Sequence, residues 1–140
     1  MILAGDRERV CAFVNAMVRD GTPITEKYEA LGAIDKEGNL LGGFVFYDIT
    51  RTPNGGNVML AAAGSGPWLT RLNLRTWFEY PFNQLGCHRI TCIIAKSNTI
   101  SRKIVERLGF VMEGCIRGSR DPGKDSILYG MLRDECKWIG

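Results

Sequence analysis

The stretch "RITCIIA", Arg89 to Ala95, constrains the fold more than any other part of the chain. It is short, rich in β-branched residues and almost wholly apolar, the pattern of a strand buried on both faces. Helix-like sequence flanks it on either side. A strand of this kind needs cover above and below, so the chain reads as an α/β protein with one mixed sheet covered by helices. At 140 residues it is expected to form a single domain over 1–140, on the usual scale of about 150 residues per domain. A chain of that size buries roughly two thirds of its unfolded surface without staples.

The remaining elements follow from local pattern. "MILA" is one short strand. Val10, Phe13, Val14, Met17 and Val18 recur at helical spacing, with Asp6 as cap and Gly21 just past the end. "YEALGAID" and "LLGGFVFYDIT" are strands joined through Glu37-Gly38-Asn39, an antiparallel hairpin. After the turn cluster "RTPNGGN" comes a third strand, "VMLAAAG". A long helix is expected from near Pro67 to Gly86, with Pro81 as a late kink. Beyond "RITCIIA", Asn98 caps a helix whose Ile100, Ile104 and Leu108 form one buried stripe, while Arg102 and Glu106 pair on the solvent side. Gly109 fits the left-handed stop, with Phe110 against Val105. "FVMEGCIRG" and "ILYGMLRDECKWI" make a last hairpin around "SRDPGKDS". The third strand and "RITCIIA" are separated by the long helix and should therefore run parallel. Two strand-to-helix junctions, "AAAGSGPWLTR" and "CIIAKSNTISRK", are places where amides and helix dipole favour an anion.

Several function classes are disfavoured by composition. No run approaches the roughly 18 apolar residues of a membrane span, and "MILAGDRER" has the wrong charge order for a secretion signal. A soluble, cytoplasmic protein without membrane association is expected. Five cysteines with no CxxC pair and the lone His88 lack the spacing for zinc or a disulfide framework, so no metal is expected and the thiols read as small hydrophobes. A cysteine nucleophile is the minor alternative. A net charge of +3 falls short of a nucleic-acid surface, though "TRLNLR" and "SRKIVER" suit a small polyanion.

Asn98 and Ser101, followed by Glu106, Arg107, Gly109, Phe110, Glu113, Gly114 and Arg117, match in order the pattern N-x-x-S then E-K-x-G-F-x-x-E-G-x-x-R. On these residues the chain resembles the GNAT superfamily of acetyl-CoA-dependent N-acetyltransferases, closest to the branch of ribosomal-protein N-terminal acetyltransferases. The likeness covers about the last 80 residues well and the first 55 through the order of elements alone. "YPFNQLG" with "YGMLRDECKW" also resembles a short, often phage-encoded subgroup.

The resemblance implies a GNAT acyl-CoA N-acyltransferase fold, mostly antiparallel with one splayed parallel pair, and acetyl-CoA as co-substrate for transfer to a primary amine. Pantetheine would lie along Leu60, Ala61, Ala62 and Ala63 as an added strand, although an alanine run also serves plain tight packing. The pyrophosphate would meet Gly66 at the start of the long helix, where the family pattern is Q/R-x-x-G-x-G/A. Here Pro67 removes an amide and Trp68 replaces a glycine, with Thr70 and Arg71 as compensating ligands. The alternative is a helix-opening turn at Gly66-Pro67 and a solvated Arg71. Many members carry a tyrosine acid where this chain has Val105; Ser101 would instead hydrogen-bond the departing sulfur, and Asn98 the pantetheine amide. Both residues also suit plain helix capping. Glu29, Asp48, Glu113 and Tyr129 are candidate bases, each also explicable as structural, while His88, Trp68 and Trp77 read as surface or core. The short front half leaves the acceptor cleft open or completed by a second copy in a homodimer. A non-catalytic module of this fold, binding an acyl-CoA or a protein partner, is the competing reading.

Overall fold

The computed structural model describes residues 2–18, 23–25 and 27–140. Met1 and the expected helix stop Gly21 lie outside the described residues. In chain order the elements are β1 (Ile2–Leu3), α1 (Arg7–Met17), β2 (Tyr28–Ile34), β3 (Leu40–Thr52), β4 (Gly55–Gly64), α2 (Arg71–Glu79), β5 (Arg89–Ala95), α3 (Thr99–Leu108), β6 (Val111–Ile116) and β7 (Ser126–Leu132). A π-helical turn, Tyr80–Gln84, extends α2, and a 3-10 turn, Arg133–Glu135, follows β7. The seven strands form one sheet in the order β1-β2-β3-β4-β5-β7-β6, with β4 and β5 as the parallel neighbours. The last hairpin folds inward, so that β7 pairs with β5 and β6 becomes the edge.

Each face of the sheet has its own helix cover. α1 sets Val10, Cys11 and Val14 on Ala30 and Val45, and Ala61 and Ala63 pack from the same side. Asp6 precedes α1 without a side-chain capping bond. The approach is close because β2 and β3 offer glycines there: a Cβ on Gly43 would come within 2.6 Å of Val10. The opposite face carries the larger core, where Phe44 stacks on Trp77 at 4.7 Å between ring centres and Phe78 of α2 meets Phe110, just before β6, at 6.2 Å. Trp77 and Phe82 are fully buried there. The β2–β3 turn is held by Asp35, whose Oδ1 accepts from the Glu37 and Asn39 amides at 2.9 Å. These bonds hold its carboxyl below the ordinary range.

Two helix boundaries differ from the sequence expectation. α2 begins at Arg71 because Thr70 Oγ1 accepts from the Asn73 amide at 3.2 Å, and Asn73 Nδ2 in turn donates to the Trp68 carbonyl at 3.0 Å. That cap leaves Gly66 and Pro67 outside the helix. At the far end Pro81, which has no amide to donate, is absorbed in the π turn, closed by the Leu85 amide on the Tyr80 carbonyl at 2.9 Å. Likewise β3 and β4 continue through most of the expected turn cluster, pairing up to Thr52 opposite Gly55.

Candidate active site

The site begins with a parting of strands. β4 and β5 pair in parallel only at Asn57 with Arg89, Val58 with Ile90 and Met59 with Thr91. β4 then runs on to Gly64 and β5 to Ala95 with no pairing between them. Backbone N–H and C=O groups on the facing edges are thus left for a ligand. The gap opens into a groove of about 1680 Å³ bordered by Leu60 to Gly64, Cys92 to Ala95 and the first turns of α3. "RITCIIA" is consequently not buried on both faces throughout. Ile93 is 38% exposed and Ile94 half-buried, because cover from β4 ends at Thr91. Leu60 and Ala62 face the α2 and α3 side, whereas Ala61 and Ala63 face α1.

α3 delivers its polar start to this groove. Asn98 Oδ1 accepts from the Ser101 amide at 3.2 Å, so the expected cap is present. Its Nδ2 and the Ser101 hydroxyl have no hydrogen-bond partner among the described residues, and both residues border the groove. The expected buried stripe holds only toward the end of the helix. Leu108 is buried and Ile104 half-buried, but Ile100 is 74% exposed, because the first turn stands over the groove instead of the core. The stop is as read: Gly109 has φ +108° and the Phe110 amide donates to the Val105 carbonyl at 3.0 Å.

Arg102 and Glu106 do not form the direct pair expected of them. Arg102 Nε donates to the Tyr129 hydroxyl at 3.2 Å, and that hydroxyl donates to Glu106 Oε2 at 2.5 Å. The phenol bridges them from β7. Burial and the Glu106 bond push its pKa up, against Arg102. Tyr129 is therefore a tether between β7 and α3, with its proton already committed.

The three expected phosphate ligands stand apart from the groove lining. Gly66, at φ +71°, Thr70 and Arg71 are exposed beyond Leu69, the last groove residue at that end. The Ser65 amide donates to the Leu41 carbonyl of β3 and the Trp68 amide to the Gly66 carbonyl, so two of this loop's donors are already taken. Trp68 is buried over Gly42 and Gly64, where a Cβ on either glycine would fall 2.3 Å from its ring. Arg71 lies with Arg75, Lys137 and Trp138 in a separate pocket of about 470 Å³. The fold thus gathers Leu60, Ala61, Ala62, Ala63, Asn98 and Ser101 at one groove, and leaves Gly66, Thr70 and Arg71 outside its lining.

Residues 6–111 match the family model for an acetyltransferase (GNAT) domain. The chain belongs to the GNAT acetyltransferase family. The GNAT fold recurs in solved structures at low identity. Ribosomal-protein-S5-alanine acetyltransferase from Vibrio fischeri is similar over 97% of this chain and 94% of its own, at TM-score 0.72 and 17% identity. Spermidine N-acetyltransferase from Vibrio cholerae, in complex with CoA and spermine, is similar over 96% and 95%, at TM-score 0.74 and 16% identity. No curated protein sequence matches, and none of these likenesses supports a phage-encoded subgroup.

Within this GNAT chain the carboxylates proposed as bases are occupied or remote. Glu29 accepts from Arg7 at 3.2 Å. Glu113 is paired with Arg89, which holds its carboxyl below the ordinary range, and Asp48 is exposed and outside the groove lining. His88 has a structural task, its Nδ1 accepting from the Gly56 amide at 3.0 Å. Cys92 borders the groove fully buried, and burial pushes its thiol far up, which removes it as a nucleophile at neutral pH. Among the described residues no group of three His, Cys, Asp or Glu side chains is placed to hold a metal ion, and no helix is long and apolar enough to cross a membrane. The sequence reading passed over Tyr47, which borders the groove. Nothing in the local pattern of "FVFYDIT" singles it out; its place at the groove depends on the β3–β4 register.

Proposed function

We propose that this protein transfers an acetyl group from acetyl-CoA to a primary amine by direct attack. The observation that carries the reading is the free β4 edge from Leu60 to Ala63, in a groove that also presents Asn98 and Ser101. An extended pantetheine arm has two amides, and an unpaired strand edge offers the complementary donors and acceptors. Ala61, Ala62 and Ala63 let a chain approach that edge, and Asn98 Nδ2 supplies a further donor. The amine attacks the thioester carbonyl, the carbon–sulfur bond breaks, and the Ser101 hydroxyl donates a hydrogen bond to the departing sulfur. The amine's proton leaves through water, since Glu29 and Glu113 are committed to Arg7 and Arg89. With five free thiols, Cys115 exposed among them, the setting proposed is the cytoplasm.

The loop before α2 favours a second reading, a GNAT-fold module that holds an acyl-CoA without turnover. Pro67 has no amide and the Ser65 and Trp68 amides are used internally, so the diphosphate would depend on Gly66, Leu69 and the first turn of α2. Thermal unfolding with millimolar acetyl-CoA, paired with thiol release over a panel of amines, separates the readings. A raised melting temperature with thiol release is expected. No thermal shift would sink the transferase reading, and a shift without release from any amine would favour the module.

A further inference from the structure

Two hydroxyl side chains border the splay from opposite faces of the sheet. Ser101 stands on the α3 side. Tyr47 lies two residues beyond Val45, which packs under α1, so strand alternation puts it on the α1 side. In register it is opposite Met59, and Met59 is opposite Thr91, the last parallel pair before the strands part. Tyr47 therefore stands on the row that forms the vertex. Of the four tyrosines it alone borders the groove, and its hydroxyl has no hydrogen-bond partner among the described residues.

A second feature marks the same place. Between Tyr47 and Thr50 the β3–β4 register slips by one residue, and Asp48 takes φ +48°, a conformation that costs a non-glycine residue energy. The bulge ends the alternation of β3 at the vertex and turns Asp48 out to solvent. Strain of this kind persists where the surrounding structure over-determines it.

Resting on the acetyl-transfer reading above, we propose that Tyr47 is a catalytic residue whose hydroxyl donates a hydrogen bond to the acetyl oxygen as that oxygen becomes negative. A thioester whose pantetheine lies along Leu60 to Ala63, with its phosphates toward α2, has its reacting end at the vertex. There the amine lone pair forms the carbon–nitrogen bond and the carbonyl pair moves onto oxygen. The pair then returns to expel sulfur as thiolate, and the ammonium proton passes through water to the thiolate. Tyr47 keeps its own proton throughout. Burial pushes this phenol's pKa up, with Cys92 and Asp48 acting in the same direction and Arg120 against them, so it remains a neutral donor at physiological pH. A preformed donor at the position of developing charge is among the larger contributions an active site makes.

Tyr47→Phe removes the hydroxyl and keeps the ring. Side by side, wild type and variant are assayed for the acetyl-CoA thermal shift, for thiol release with amines, and for the infrared carbonyl band of bound acetyl-CoA labelled with carbon-13. Expected are an unchanged thermal shift, kcat lower by about 100-fold, and a carbonyl band at higher frequency in the variant. Equal kcat and equal carbonyl bands overturn the role of Tyr47 while leaving the transferase reading intact. Loss of the thermal shift in the variant makes Tyr47 a binding or packing residue and overturns it too. A wild type with neither shift nor thiol release overturns the transferase reading and this inference together.

Discussion

Gly64→Ala tests how the mouth of the groove is built. A Cβ at Gly64 would lie 2.3 Å from Trp68 Cε2 and 2.5 Å from Cδ2, where ordinary contact begins at 3.4 Å, so the indole must retreat by about 1.1 Å. Behind it stand Phe44 and Trp77, with ring centres 5.9 and 6.1 Å away, and Trp77 is fully buried. Overpacking of this sort costs about 1–3 kcal/mol. If the indole were instead expelled, losing its burial would cost about 4–6 kcal/mol at ~25 cal/mol per Å² over a large aromatic surface. Displacement within the core is the cheaper response, and at about 4 °C per kcal/mol it predicts a melting temperature lower by about 4–12 °C. The check is a double-mutant cycle with Trp68→Leu, read by thermal or urea unfolding. In the Trp68→Leu background the glycine change should cost under about 0.5 kcal/mol, since the obstructing ring is gone. An equal loss in both backgrounds, or no loss in either, would refute the packing argument.

Ser101→Ala should lower kcat by about 10- to 100-fold, the worth of one hydrogen bond to a charged sulfur, while acetyl-CoA still raises the melting temperature. Equal loss of both would reduce Ser101 to a structural residue. For Glu113 the sign follows from its partner: Arg89 depresses the folded-state pKa, so the pair stabilises the fold above the unfolded carboxylate value of about 4.3 and that contribution is lost as pH falls through the folded value. Urea unfolding of Glu113→Gln should therefore differ from wild type near neutrality and converge with it in acid; a constant gap would contradict the assignment. Native alkylation followed by mass spectrometry should label Cys115 first, because Cys11, Cys87, Cys92 and Cys136 are buried with raised thiol pKa values. Early labelling of Cys92 would show that the groove opens further than drawn.

Features read correctly in advance share a short range. Asn98 as cap, Gly109 as left-handed stop, the hairpin turn at Glu37-Gly38-Asn39 and the antiparallel pairing of β2 with β3 all depend on residues close together in the chain. The parallel pairing of β4 with β5 also followed, because an intervening helix leaves little alternative. The misreadings have a common cause. Ile100 fits a buried stripe by spacing, yet whether a helix turn meets core or groove depends on where its neighbour strands part. Arg102 and Glu106 fit a direct pair, but a phenol from β7, more than 20 residues away, takes both.

By itself the sequence determined the element types, the family motif from Asn98 to Arg117 and the small side chains of β4, because composition and near-neighbour spacing encode these. Tertiary structure alone decided where the splay begins, that β7 inserts beside β5, that Trp68 lies on Gly42 and Gly64, and that Tyr47 shares the vertex row. Each of these is a register or packing choice between distant segments. A one-residue shift would turn every side chain of a strand to the other face, so such choices are settled only when the whole sheet packs.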